Sequence, residues 1–142
     1  MVAKEIAYCI QLATSIYDVP EPLIQAILEV EGGKPGLVSE NTNGSKDYGR
    51  MQINSLWVPV LAKDLHLDEG VIADQLQNND CFNIAVGARI LSKNIASEKN
   101  LERAIGHYHS RTPKLRDRYV EKVVDRLRVI LGYQEQPTEK SR

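Results

Sequence analysis

A carboxylate closing a helical apolar pattern, two glycines, a polar Asn/Gly turn and a second carboxylate follow one another in EGGKPGLVSENTNGSKDYGRMQIN, positions 31 to 54. This stretch constrains the chain most. It makes a helix stop, turns the backbone, and returns the chain past the end of its own helix. The apolar residues before and after it fall at helical spacing, so the remainder reads as a helical scaffold that holds this one segment.

Val2, Ile6, Cys9, Ile10, Ala13, Ile16 and Tyr17 form one stripe and predict a first helix that ends at Asp18-Val19-Pro20. A second helix is expected from about Glu21 to Glu31, with Pro20 or Pro22 at its start, where a missing N–H does no harm. Counting from Ile24, the positions three, four and seven further on are Ile27, Leu28 and Glu31. Glu31 therefore lies on the apolar face, whereas Glu29 points the other way. Gly32-Gly33 supplies a left-handed helix end and puts Glu31 in the last turn. Burial and the negative end of the helix dipole both disfavour its ionised form, so its pKa is expected to be raised, as a general acid working near neutral pH requires.

A lone helix-terminal Glu more often reaches into solvent, but the residues that follow argue for more. Asn41-Thr42-Asn43-Gly44-Ser45 is a turn signal between short segments that can pair as a small irregular hairpin, and Asp47 stands just past it. A chain that goes helix, glycine exit, turn and return can bring Asp47 across a groove from Glu31. Paired carboxylates flanking a scissile bond are the general arrangement for glycoside cleavage, about 5 Å apart in retaining enzymes and several Å wider in inverting ones.

Downstream, Asn54 or Ser55 is expected to cap a helix through Trp57 to Leu65, with Pro59 in its first turn. Trp57 has two readings, stacking on a sugar ring in the groove or filling the core, and core packing is the one expected. A short polar helix follows near Asp68 to Gln77, and Asn78-Asn79-Asp80 caps another that carries Cys81, Ile84, Ala85, Ala88, Leu91 and Ile95. Helices near Leu101 to Ser110 and Pro113 to Leu131 complete the scaffold; Tyr108 lies on the apolar side of the first, and Tyr119, Val120, Val123, Val124, Leu127 and Ile130 on that of the second. The basic residues from Arg111 to Arg128 alternate with Asp117, Glu121 and Asp125, the pattern of a solvated helix face.

A chain of 142 residues fits one domain, and its net charge of -1 gives no electrostatic case for nucleic acid or a membrane surface. No apolar run approaches a membrane span, and no charged region followed by a long apolar core marks a signal peptide, so an exported protein would be represented here by its mature form. Cys9 and Cys81 share no local metal-ligand pattern with His66, His107 or His109, and His107 and His109, two apart on a helix, face different ways. Spacing alone leaves a disulfide and two buried thiols equally open.

The run NTNGSKDYGRMQINS at positions 41 to 55 resembles the corresponding run of animal c-type lysozymes, and YGRMQIN within it resembles the GLMQ-type motif of the lytic transglycosylase (SLT) family. YHSRTP, Tyr108 to Pro113, resembles the second half of the small transglycosylases attached to conjugation, type IV pilus and type III secretion systems. The resemblance runs from the first helix to about Leu131. It implies Glu31 as catalytic acid/base and Asp47 as the residue that stabilises or attacks an oxocarbenium centre. It also implies substrate-binding positions at Met51, Gln52, Asn54 and Tyr108, the Tyr108 hydroxyl supporting the catalytic Glu, and a bridge between Cys9 and Cys81, hence an oxidising compartment. The family usually carries Ser after the catalytic Glu, where this chain has Gly32.

The resulting expectation is an all-α, lysozyme-like α+β domain over residues 1–131: a helical bundle around a substrate groove with a small β-hairpin, followed by a polar, disordered tail over 132–142. The expected activity is cleavage of the MurNAc-GlcNAc β-1,4 bond of peptidoglycan with formation of 1,6-anhydro-MurNAc, for local murein remodelling by an envelope-spanning secretion, conjugation or pilus system. The expected partners are glycan strands and components of such a machine. Neither a cofactor nor a metal is expected, nor nucleic acid or stable membrane insertion, and the expected form is a periplasmic or exported monomer. Two alternatives are a lysozyme-type hydrolase of the same bond, which Asp47 permits, and a non-catalytic murein-binding assembly factor.

Overall fold

The structure, a computed structural model, describes residues 4–133. Its elements run α1 (Lys4–Tyr17), α2 (Glu21–Glu31), β1 (Val38–Glu40), β2 (Lys46–Tyr48), β3 (Ile53–Asn54), α3 (Trp57–Leu65), α4 (Glu69–Asn78), α5 (Asp80–Glu98), α6 (Leu101–His109) and α7 (Pro113–Ile130). Among the described residues this is a lysozyme-like, α-rich architecture, with seven helices and one small antiparallel sheet. No helix there is long and apolar enough to cross a membrane.

The helical stripes account for the core. Ile6, Cys9, Ile10 and Ala13 of α1 are buried against α5, and Leu23, Ile24, Ala26 and Ile27 of α2 meet α7. Ile16 departs from expectation: it is 66% exposed, because the buried line drifts from Ala13 to Tyr17 and leaves Ile16 on its edge. α1 ends where Asp18 takes a left-handed φ of 56° and its N–H reaches the Thr14 carbonyl. Asp68, Asn79 and Asn100 each accept a backbone N–H at the starts of α4, α5 and α6. Trp57 is partly buried against the core.

The start of α3 and the sheet differ from the sequence expectation. No side chain caps α3: the residue before it is Leu56, whose N–H goes to Asn54 Oδ1, while Ser55 Oγ accepts the Lys46 N–H. Both residues are held by the sheet instead. The expected hairpin is a three-stranded sheet in the order β1-β2-β3, pairing Ser39 with Asp47 and Asp47 with Asn54. β3 is two residues long, too short to display alternation. The turn between β1 and β2 spans positions 41–45, closed by the Asn41 N–H to the Ser45 carbonyl, with Gly44 at φ 87°.

Cys9 and Cys81 form a disulfide with their Cα atoms 4.7 Å apart, fastening α1 to the first turn of α5 across 72 residues of sequence. A closed loop of that length stabilises a fold by about 4 kcal/mol on the chain-entropy account. At the other end, Gly132 takes φ 81° and the Tyr133 N–H bonds to the Arg128 carbonyl, so the first two residues of the expected tail close α7. The remainder of that tail lies outside the described residues.

Among the described residues, the buried side chain outside the apolar set is an asparagine. Asn83 of α5 is 1% exposed. Its amide donates to the Tyr48 and Leu76 carbonyls, each at 2.8 Å, and its oxygen accepts the Met51 N–H at 2.8 Å. It thereby ties the segment from Tyr48 to Met51 to α5. Asn83→Ala leaves two carbonyls and an N–H without partners in a dry site. We expect a loss of about 3 kcal/mol, read as a lowered urea midpoint.

Candidate active site

Glu31 is the last residue of α2, and the chain leaves it through Gly32 at φ 63° and ψ 20°, whose N–H bonds to the Leu28 carbonyl. A side chain at Gly32 would meet open space, so the glycine is required by its backbone angle and not by crowding. Gly33 is the reverse case. A Cβ there would fall 2.1 Å from the Gly49 carbonyl oxygen and 2.8 Å from the Arg50 Cα. The exit from α2 thus lies directly on the Tyr48–Met51 segment, which carries Asp47 at its leading edge.

The Glu31 carboxyl accepts a 2.8 Å hydrogen bond from the Tyr119 hydroxyl of α7. Its pKa is raised to about 7, mainly by burial; the negative charge of Asp47 raises it further, while the Tyr119 hydrogen bond and the Lys122 charge pull it back. The charge of Asp47 is thus among those that act on the Glu31 carboxyl. Asp47 accepts from Asn41 Nδ2 on one oxygen and from Asn54 Nδ2 on the other, both at 3.1 Å. Strand pairing explains this geometry, because Asn54 stands opposite Asp47 in the β2–β3 register.

The residues expected to contact substrate are placed differently from one another. Gln52 is partly buried at φ 51° and returns one amide proton to the Gly49 carbonyl at 2.9 Å. Asn54 spends its amide on Asp47 and Ser45 and its oxygen on Leu56, which makes it a support for Asp47. Met51, expected among the substrate-binding positions, has a fully buried side chain that reaches α5, where a Cβ on Gly87 would lie 2.4 Å from its sulfur. An apolar residue in the middle of the turn is drawn to the core.

Tyr108, expected to support Glu31 and to bind substrate, lies within reach of the Glu31 charge but directs its hydrogen bond elsewhere. Its hydroxyl donates to the Met51 carbonyl at 2.9 Å, and Tyr119 takes the place by Glu31 that the resemblance gave to Tyr108. Burial pushes the Tyr108 hydroxyl well above its ordinary pKa, and burial does the same for Tyr119, with the Glu31 charge adding in both cases. The Tyr119 ring stacks on His109 at 4.7 Å between centroids and 4° between planes, and on Tyr108 at 6.4 Å. Burial and the nearby Lys122 lower the His109 pKa, with Asp47 opposing them. The periodicity places Tyr119 on the buried stripe of α7, but nothing in it says that the hydroxyl meets a carboxyl.

The α-rich lysozyme-like domain thus holds a protonatable carboxyl at a helix end in the field of a second carboxylate on a small sheet, the pair of groups that acid-assisted glycoside cleavage requires. Comparison with known proteins gives the family. Residues 8–123 match the Transglycosylase SLT domain, and the chain belongs to that family. It is 34% identical over 131 residues to the invasion protein IagB of Salmonella typhimurium strain SL1344, covering 89% of this chain and 79% of that protein. It is 32% identical over 125 residues to protein IpgF of Shigella flexneri, covering 84% and 79%. A peptidoglycan-binding-like protein of Escherichia coli O157:H7 is 32% identical over 110 residues, covering 72% of this chain and 63% of its own length.

A carboxyl whose pKa is raised by folding binds its proton more tightly in the native state than in the unfolded chain. Stability due to Glu31 is therefore full below its ordinary value of 4.5, falls as pH rises from there, and levels off above about 7. Over that window the ionised side chain costs the fold about 3 kcal/mol as an upper figure. Glu31→Gln is expected to be more stable than wild type by up to that amount at alkaline pH, with the advantage vanishing at pH 4. Urea denaturation at the two pH values measures it; equal stabilisation at both would remove the buried charge as the cause.

Proposed function

We propose that this protein cleaves the MurNAc-GlcNAc β-1,4 bond of peptidoglycan as a lytic transglycosylase. The observation that carries the reading is the Glu31 carboxyl with its pKa near 7, hydrogen-bonded by Tyr119 and under the field of Asp47. Glu31 in its protonated form gives its proton to the glycosidic oxygen as the bond breaks, and Asp47, held by Asn41 and Asn54, stabilises the positive charge that develops at the anomeric carbon. The Glu31 carboxylate then takes the proton of the muramoyl C6 hydroxyl while that oxygen closes on the anomeric carbon, forming the 1,6-anhydro ring and restoring the acid. Family membership and the name of the peptidoglycan-binding-like relative support murein as substrate.

Export to the periplasm agrees with the Cys9–Cys81 bridge, which persists in oxidising compartments. Remodelling of murein for a secretion, conjugation or pilus machine agrees with the names of the invasion-protein relatives. Asp47 favours one rival, because a second carboxylate beside the acid also suits hydrolysis by the lysozyme route. Mass spectrometry of digested murein separates the two: anhydro products are lighter by one water than reducing-end products, and reducing ends alone would establish hydrolysis.

The pH dependence of murein clearance tests the acid itself. Activity is expected to fall as pH rises through about 7, where Glu31 loses its proton. Tyr119→Phe removes a hydrogen bond that favours the ionised form and moves this limb to higher pH; Asp47→Asn removes a repelling charge and moves it lower. Limbs that stay in place in both variants would assign the titration to another group.

A further inference from the structure

Glu31 borders a cavity of about 240 Å³ set between the ends of α2 and α6 and one face of α7. Leu115, Arg118, Tyr119 and Lys122 line it at helical spacing along α7, and His109 lines it from α6. The Tyr119 hydroxyl is already committed to Glu31. The His109–Tyr119 stack and Leu115 therefore present flat and apolar surface, and the cations are Arg118 and Lys122.

These cations, one helical turn apart, are both exposed. Among the described residues neither takes part in an ion pair. The nearby acids of α7 are occupied elsewhere: Asp117 pairs with Arg116 at 3.0 Å, Asp125 meets Arg128 at 3.9 Å, and Glu121 lines a separate cavity with Asn100 and Glu102. Glu29 of α2 is taken by Arg126. The field of Lys122 reaches Glu31 and His109 alike, which places its charge at the mouth of the active site.

A neutral sugar needs hydrogen-bonding groups arranged around its ring. A small cavity with an apolar wall and two unengaged cations suits a short chain that carries a negative group. If murein is the substrate, the glycan is uncharged along its sugars, and the negative charge sits on carboxylates of the peptide stem, which hangs from the muramoyl residue at the cleaved bond. We infer that Arg118 and Lys122 form a subsite for carboxylates of that peptide stem, so that recognition extends beyond the sugar backbone. The inference rests on the murein reading above. Where stems are intact, the lactyl carboxyl is tied up in an amide bond, so the charge read by this pair belongs to the stem itself.

The test uses the Arg118→Gln/Lys122→Gln double variant, at a pH about two units below the Glu31 titration so that loss of the Lys122 charge leaves Glu31 protonated. Three mureins are compared: untreated, carboxyl-amidated, and stripped of stems by an amidase. On untreated murein KM is expected to rise about fivefold, as two partly exposed charge contacts allow, with kcat kept. Wild-type KM is expected to rise by a similar factor on amidated murein, where the variant shows no further change, and the two proteins should coincide on stripped strands. An unchanged KM on untreated murein, or equal losses for both proteins on amidation, would overturn the subsite. A wild-type advantage that persists on stripped strands would place the contact at the freed lactyl carboxylate and overturn the stem assignment. Co-sedimentation with the same insoluble mureins reads the contrasts without chemistry. Binding contrasts without cleavage would sink the catalytic reading and leave the subsite standing.

Discussion

The site depends on the three hydrogen bonds of the Asn83 side chain. An asparagine amide buried among Ile84, Leu76 and Met51 is unfavourable unless its donors and acceptor are all met, and here the Tyr48 and Leu76 carbonyls and the Met51 N–H meet them. That satisfaction fixes the turn from Tyr48 to Met51 against α5. The disulfide at Cys81, two residues away on the same helix, fixes α5 against α1. Gly33 rests its backbone on Gly49 and Arg50, so the end of α2 is located by the same turn. The Tyr108 hydroxyl reaches the Met51 carbonyl, and Gly87 leaves the space that the Met51 side chain fills. Asp47 precedes this turn, and Glu31 lies two residues before Gly33, which touches it. The turn that lies next to both carboxyls is therefore anchored by a buried amide that hydrogen-bonds to neither of them.

This construction creates the chemistry and its cost together. Packing Glu31 at the junction of α2 and α7 removes most of its water, and burial is the largest influence on its raised pKa. A site that relieved this with a close cation would stabilise the fold and lose the acid. Tyr119 is a moderate solution: its hydroxyl holds the carboxyl in place while favouring the ionised form less than burial opposes it. Lys122 acts in the same direction from a more exposed position, the weakest of the influences on Glu31.

Much of this was legible because helical period reports burial. The seven helices of the described residues, the placing of Glu31 rather than Glu29 on the apolar face, and the cap at Asn79 all follow from residues close together in sequence. What escaped is made by contacts between distant positions. Asn83 falls among apolar neighbours on α5, and two of its three partners lie 32 and 35 residues upstream in the turn, beyond the reach of any local pattern. β3 is invisible for a different reason, since two residues carry no alternation. Tyr108 and Tyr119 both occupy buried faces, and which hydroxyl meets Glu31 depends on how α7 packs between α2 and α6. The resemblance pointed to Tyr108, while the packing gives that bond to Tyr119.

Gly32 becomes intelligible in the same terms. The left-handed angle at this position ends α2 immediately after Glu31 and lets Gly33 reach the turn. A serine there has room for its side chain but would hold a conformation that disfavours L-residues by about 1 kcal/mol. The hydroxyl that the family usually presents after its catalytic Glu is absent, and the Glu31 carboxyl takes its hydrogen bond from Tyr119 on α7. The backbone requirement at the helix end and the placement of the acid are met by different residues. That division lets the chain keep a glycine beside the Glu31 carboxyl without leaving the carboxyl unheld.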